Sequence, residues 1–154
     1  VPVSGTYELR VASSNNSLRG MAQIYLGTNK ENPPAIGLPV DMRLTVEDPL
    51  IDWELDTDDD EYNLSVDKRL RNHSYMKAPK SFGLTSGSGV TQSLRDVGPW
   101  NGVMRRIITT QTFYADQVYY IRFKSVLENK YSQFFFDYLE LVPKAVIAQG
   151  EDIW

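Results

Sequence analysis

The chain contains no cysteine. Disulfides, thiol nucleophiles and thiolate metal sites are thereby excluded. Histidine is nearly as scarce, with His73 alone, so a multi-histidine zinc site cannot be built and any Ser-His-Asp triad would have to use that residue. Positive charge is in deficit. Sixteen Lys and Arg stand against 20 Asp and Glu, a net charge of −4, and that balance argues against a nucleic-acid footprint. No apolar run approaches the ~20 residues of a membrane helix, and no signal peptide opens the chain. A nucleophile elbow, a phosphate loop and a dinucleotide fingerprint are missing as well. The first residues, VPVSGTYELR, lack Met, and the chain is expected to be one part of a longer protein whose remainder holds a signal, a lipid anchor or further domains.

What is present is ordinary for a globular domain. The 154 residues are 42% hydrophobic and 23% charged, enough for one domain with a real core, taken as residues 1–154. Several stretches alternate with the period of a β-strand. In GTYELRVAS, Tyr7, Leu9 and Val11 share one side, with Thr6, Glu8 and Arg10 on the other. MAQIYLG reads as a second strand closed by Gly27. LPVDMRLTV is expected to turn Leu38, Val40, Met42, Leu44 and Val46 inward. VMRRIITTQTF and VYYIRFKSVL follow later, joined by what reads as a hairpin connection at Ala115-Asp116. Residues 47–102 carry no sustained alternation and read as a long insertion. Within it, EYNLSVDKRLRN predicts a short helix, because Tyr62, Val66 and Leu70 recur at helical spacing after acidic residues. These strands and turns together imply an all-β fold, an antiparallel β-sandwich of jelly-roll type.

The last strand, QFFFDYLELVP, raises a question of its own. Phe135, Asp137, Leu139 and Leu141 share a face, and that face is apolar except for Asp137. A carboxylate turned to the core must be neutralised. Arg10, Arg43, Arg105, Arg106 and Arg122 all lie on expected strands and offer that service.

VSGTYELRVAS near the start and VYYIRFKSV with FFFDYLELVP near the end resemble the opening and closing strands of galactose-binding-like jelly rolls, including carbohydrate-binding modules of the family-six type. RGMAQIYLG, GLPVDMRL, DKRLRNHSYMKAP and the final EDIW are similar to the C-terminal β-sandwich domain of fasciclin-containing surface lipoproteins of gut Gram-negative bacteria. The resemblance covers most of the chain. It implies an extracytoplasmic place at the bacterial cell surface, on an outer-membrane lipoprotein, with no direct membrane insertion of this domain. It also implies calcium for Asp137, since such modules hold a structural calcium through an acid of the last strand. The segment that supplies the other ligands in those modules is nearly absent before Gly5. No cofactor is otherwise required, and the arginine-paired reading of Asp137 stands beside the calcium one.

A second acidic group is DTDDDEYNLSVD. Asp56, Asp58 and Asp60 fall at positions 1, 3 and 5 of an EF-hand-like loop with Asp67 at 12, but position 6 is Glu61 where glycine is needed. The other reading is a solvated acidic loop favouring the N-terminus of the helix that follows. For catalysis, Asp52, Glu54 and Glu140 supply carboxylates that no spacing brings together, and His73 beside Ser74 is the one base–hydroxyl pair. The chain is therefore read as a non-enzyme. Asn15, Asn63 and Asn72 match glycosylation acceptors, which carry no meaning in a bacterial protein.

For binding, aromatics that the core does not need are the natural platforms for sugar rings. Trp53, Tyr62, Tyr75, Trp100, Phe113 and Tyr114 are the candidates, each weighed against a place in a satellite core. The leading expectation is a non-catalytic module that binds a glycan or other extracellular ligand, or serves adhesion. The rival is a structural domain that packs on an upstream fasciclin-like domain and takes no glycan.

Overall fold

The computed structural model describes residues 1–14, 19–43, 59–77, 83–85, 91–93, 103–126 and 132–147. Its elements in chain order are β1 (Gly5–Ser14), β2 (Met21–Gly27), β3 (Ala35–Asp41), α1 (Asp60–Asn72), β4 (Tyr75–Met76), β5 (Gly83–Thr85), β6 (Thr91–Ser93), β7 (Val103–Phe113), β8 (Tyr120–Ser125), β9 (Phe136–Pro143) and α2 (Lys144–Ile147). A four-stranded sheet runs β4-β7-β1-β9 and a three-stranded sheet runs β3-β2-β8, with β5 and β6 forming a separate pair. Every strand pairing is antiparallel. The all-β expectation is met in this form: two antiparallel sheets packed on each other.

The apolar sides of the alternating strands meet between the sheets. Tyr7 and Leu9 from β1, Leu26 from β2 and Phe113 from β7 form one buried cluster, with Ile36, Ile108, Tyr119 and Ile121 against it. Ile24, Val40 and Met42 form a second, with Phe123 and Phe134 alongside. Each such side chain removed from water contributes about 1.5–3 kcal/mol. Phe113 is edge-on to both Tyr7 and Tyr119, at 6.0 and 4.8 Å between ring centres, and so binds the first strand to the approach of β8.

α1 forms where the sequence predicts it. The Asp59 carboxylate accepts from the backbone N–H groups of Glu61 and Tyr62, two of the orphan donors of the first turn. Asp60 and Glu61 open the helix and Arg69 and Arg71 close it, as the helix dipole favours. Its Val66 and Leu70 pack with Tyr75 and Met104 in a satellite cluster.

Three expectations are corrected. First, Leu38 is 86% exposed, while Val40 and Met42 are buried. Ala22 pairs with Val40 but Ile24 pairs with Ile36, so β3 carries extra residues opposite Gln23. Gly37 takes the left-handed φ of +59° there, and Leu38 is swung out. Second, the turn at Ala115-Asp116 is not a hairpin: β7 and β8 belong to different sheets, so the turn arches between layers. Third, Asp137 is exposed. Val11 pairs with Leu139 and Ser13 with Phe136, so Ala12 is matched by both Asp137 and Tyr138. Phe135, Leu139 and Leu141, expected on the same inward face, are exposed too, so the acid stands on an open side of β9 and not in the core. Leu44, Val46 and the EDIW tail lie outside the described residues.

Candidate functional site

The polar side of β1 is not solvated, as the alternation alone suggests, but buried. Glu8 Oε1 accepts from Arg10 Nε at 2.6 Å, and its other oxygen accepts from Arg71 Nη2, which α1 brings in from 63 residues away. Arg10 sits directly across from Glu140 of β9, and its Nη1 reaches Glu140 Oε2 at 3.4 Å. Arg105 Nη1 lies 3.4 Å from both Glu140 oxygens, and its Nε donates to the Lys77 carbonyl at 2.8 Å. Lys77 Nζ is 3.6 Å from Asp67 of α1. Two carboxylates are thus interleaved with three guanidinium groups in a nearly dry layer. Each acid is held by cations on more than one side. Removing one member strands a buried charge, the costly case. This layer is architecture. Sequence reasoning missed it because Glu140 gave no local sign of its partners, although Glu8 and Arg10, two apart on one face, were a legible pair.

The arginines considered for Asp137 all bond elsewhere. Arg10 and Arg105 reach Glu140, as above. Arg43 clasps Asp41 through two nitrogens, at 2.9 and 2.6 Å, and these bonds hold the Asp41 carboxyl below its usual range. Arg106 donates to the Tyr75 hydroxyl at 2.7 Å, and Arg122 to the carbonyls of Lys30 and Glu31. Beside Asp137, the Tyr138 hydroxyl is pushed up to about 12, first by burial and then by the negative charge of Glu140. No group of three or more acidic or imidazole side chains that could hold a metal ion occurs among the described residues. Asp60 opens α1 and Asp67 lies within it, so this part of the EF-hand-like spacing is helix rather than a loop wrapped round a cation. Asp56 and Asp58 lie outside the described residues, as do Asp52 and Glu54. His73 caps the end of α1, its N–H donating to the Leu70 carbonyl, and Ser74 turns the chain there with a φ of 65°.

The aromatic candidates separate. Tyr75 is buried, with the Arg106 guanidinium 4.8 Å from its ring centre, and Tyr62 packs against the same satellite cluster. Phe113 is core. These three do not present a platform. Tyr114 is exposed on the arch after β7, and its backbone N–H donates to Tyr119. Trp53 and Trp100 lie outside the described residues.

The structure instead exposes aromatics at the entry to β9. Phe135 is 56% and Phe136 48% exposed. The Arg19 guanidinium lies 4.4 Å from the Phe135 ring centre, while its Nη1 donates to Gln133 Oε1 at 2.6 Å. A backbone bond from Gly20 N–H to the Gln133 carbonyl fixes the two segments side by side. Phe136 stacks on Phe123 at 5.4 Å and 19°, with Phe134 edge-on to it. An open ring, a guanidinium and a carboxamide are the groups that contact an apolar sugar face and its hydroxyls. The sequence held a signal for this site, three successive phenylalanines of which a strand can bury only alternate members. Comparison with family models, with curated proteins and with solved structures finds no match for this chain.

Proposed function

We propose that the chain is a non-catalytic, jelly-roll-type module of an extracytoplasmic bacterial surface protein, and that it binds carbohydrate or mediates adhesion through the Phe135 ring with Arg19 and Gln133. The observation that carries this reading is the exposed Phe135 ring, with the Arg19 guanidinium lying over it and bonded to the Gln133 amide. Pre-arranged polar groups next to an apolar platform lower the ordering cost of binding. The ion pairs of Glu8 and Glu140 with arginines from other strands and from α1 support the non-catalytic part, because both acids serve to join elements of the framework.

The test is a glycan-array screen with and without chelator. Binding that falls at least tenfold in Phe135→Ala, about 1.4 kcal/mol, while the fold is retained, is the expected result. Silence in both conditions, or binding untouched by Phe135→Ala, overturns the assignment. Loss with chelator alone would place calcium in the site.

A second reading, a structural domain packed on an upstream fasciclin-like domain, draws on a different surface. Val3, Tyr114 and Val118 are exposed apolar side chains. Val3 accepts from the Tyr7 hydroxyl, and Ser4 Oγ accepts from the Ala115 N–H, so the start of the chain and the arch after β7 lie together. Apolar groups gathered in this way suit a domain contact.

A further inference from the structure

β9 half-buries Tyr138, Glu140 and Val142 and exposes Asp137, Leu139, Leu141 and Pro143, the two leucines at 39% and 41%. Beyond Asp137 the exposed side is apolar to the end of the strand. An edge strand left to water normally shows charge outward. Leu141 and Leu139 pair with Leu9 and Val11, both buried, so they continue the apolar face of β1 beyond the margin that the second sheet covers. Among the described residues β9 is also the last strand of its sheet. We propose that a second copy of this chain occupies this margin, β9 against β9, about a two-fold axis perpendicular to the sheet.

Symmetry and charge select a second copy as the occupant. Such an axis sets identical edge strands antiparallel and keeps their apolar sides together. With the axis near Glu140, Leu139 of one copy stands opposite Leu141 of the other, and four leucines close into one patch. Asp137 lies towards one end of the strand and Lys144 follows the other end. Antiparallel pairing therefore brings unlike charges together at both ends. The remaining charge, Glu140 in the middle, would face its own copy, but Arg10 and Arg105 already neutralise it. A strand of 8 residues is about 27 Å long. The contact is thus smaller than the ~800 Å² per partner of a standard interface, and a weak dimer with micromolar affinity is expected. The inference goes beyond the proposed recognition role and uses neither Phe135 nor Arg19.

Sedimentation velocity on the full chain, from about 1 to about 200 µM, brackets such an affinity. The mass is expected to rise from one chain to two across that range, and the double variant Leu139→Lys/Leu141→Lys is expected to remain monomeric with an unchanged melting temperature. The absence of cysteine allows a second measurement that does not depend on the double variant folding. Leu139→Cys and Leu141→Cys, mixed and oxidised, should cross-link about tenfold faster than Leu38→Cys, an exposed control on β3, because pairing raises the local thiol concentration. A monomer at every concentration, a dimer that survives the two lysines, or cross-linking no faster than the control overturns the proposal.

Discussion

Glu8 shows how much one side chain can decide in this molecule. Its carboxylate accepts from Arg10 and from Arg71, and Arg10 is 2% exposed. Glu8→Ala removes the shorter of the Arg10 ion pairs to Glu8 and Glu140 and weakens the compensation of a buried cation. The expected cost is about 3–5 kcal/mol, read from urea unfolding. Replacing Glu8 by Leu and Arg10 by Met together should cost less than the two single changes summed, with a coupling above about 0.5 kcal/mol in a double-mutant cycle. Tyr138 supplies the pH dependence. Its folded hydroxyl is raised to about 12 from 10.0, so the folded state keeps a proton that the unfolded state loses first. The associated stability is fully present below pH 10 and is lost as pH rises towards 12. Tyr138 is only half-buried, so solvent screening reduces the effect to the order of 1 kcal/mol. Tyr138→Phe should therefore flatten the alkaline fall in melting temperature between pH 10 and 12 while leaving neutral pH nearly unchanged. An equal alkaline fall in both proteins would show that another group governs it.

Local chemistry specifies α1 almost completely, and the sequence reveals it for that reason. Asp59 caps it, acids open it, and Tyr62, Val66 and Leu70 mark its packed side. Asp59→Ala removes two side-chain hydrogen bonds to the first turn and should cost about 1 kcal/mol, measured by thermal unfolding; Asp59→Asn should restore most of it, since the amide oxygen accepts in the same way. β3 and β9 behave differently. Their alternation is legible, but their bulges are not, because a bulge is a property of two paired strands and not of either one. The extra residues around Gly37 swing Leu38 out. Asp137 is exposed together with Leu139 and Leu141, because that side of β9 is left open. The parity argument misplaced both residues, and on β1 and β9 it gave the two sides but not which of them is covered; along β2 burial alternates as the period requires.

The two sheets also explain why the exposed site was harder to read than the core. Tyr7, Leu9, Ile24, Leu26 and Val40 declare themselves by period alone, since each alternates with polar neighbours. Exposure of Phe135, Phe136, Leu139 and Leu141 depends on which strands stop short, a consequence of a four-stranded layer facing a three-stranded one. The three phenylalanines of QFFFDYLELVP signal that one ring stays open, but not that Leu139 and Leu141 do. The same contrast separates stability from recognition in one experiment. Phe113 is 1% exposed and joins β1 to the approach of β8 through Tyr7 and Tyr119. Phe113→Ala removes a whole ring from a close-packed interior and should cost about 3–5 kcal/mol, lowering the melting temperature by roughly 10 °C for a chain of this length. Phe135→Ala, at an exposed ring contacted by the Arg19 guanidinium, should change the melting temperature by no more than about 2 °C while abolishing ligand retention. Measured side by side on one glycan, Phe113→Ala should bind normally below its lowered transition, and Phe135→Ala should fail at every temperature. A Phe135→Ala protein that unfolds as early as Phe113→Ala would instead place that ring in the framework and remove it from the recognition surface.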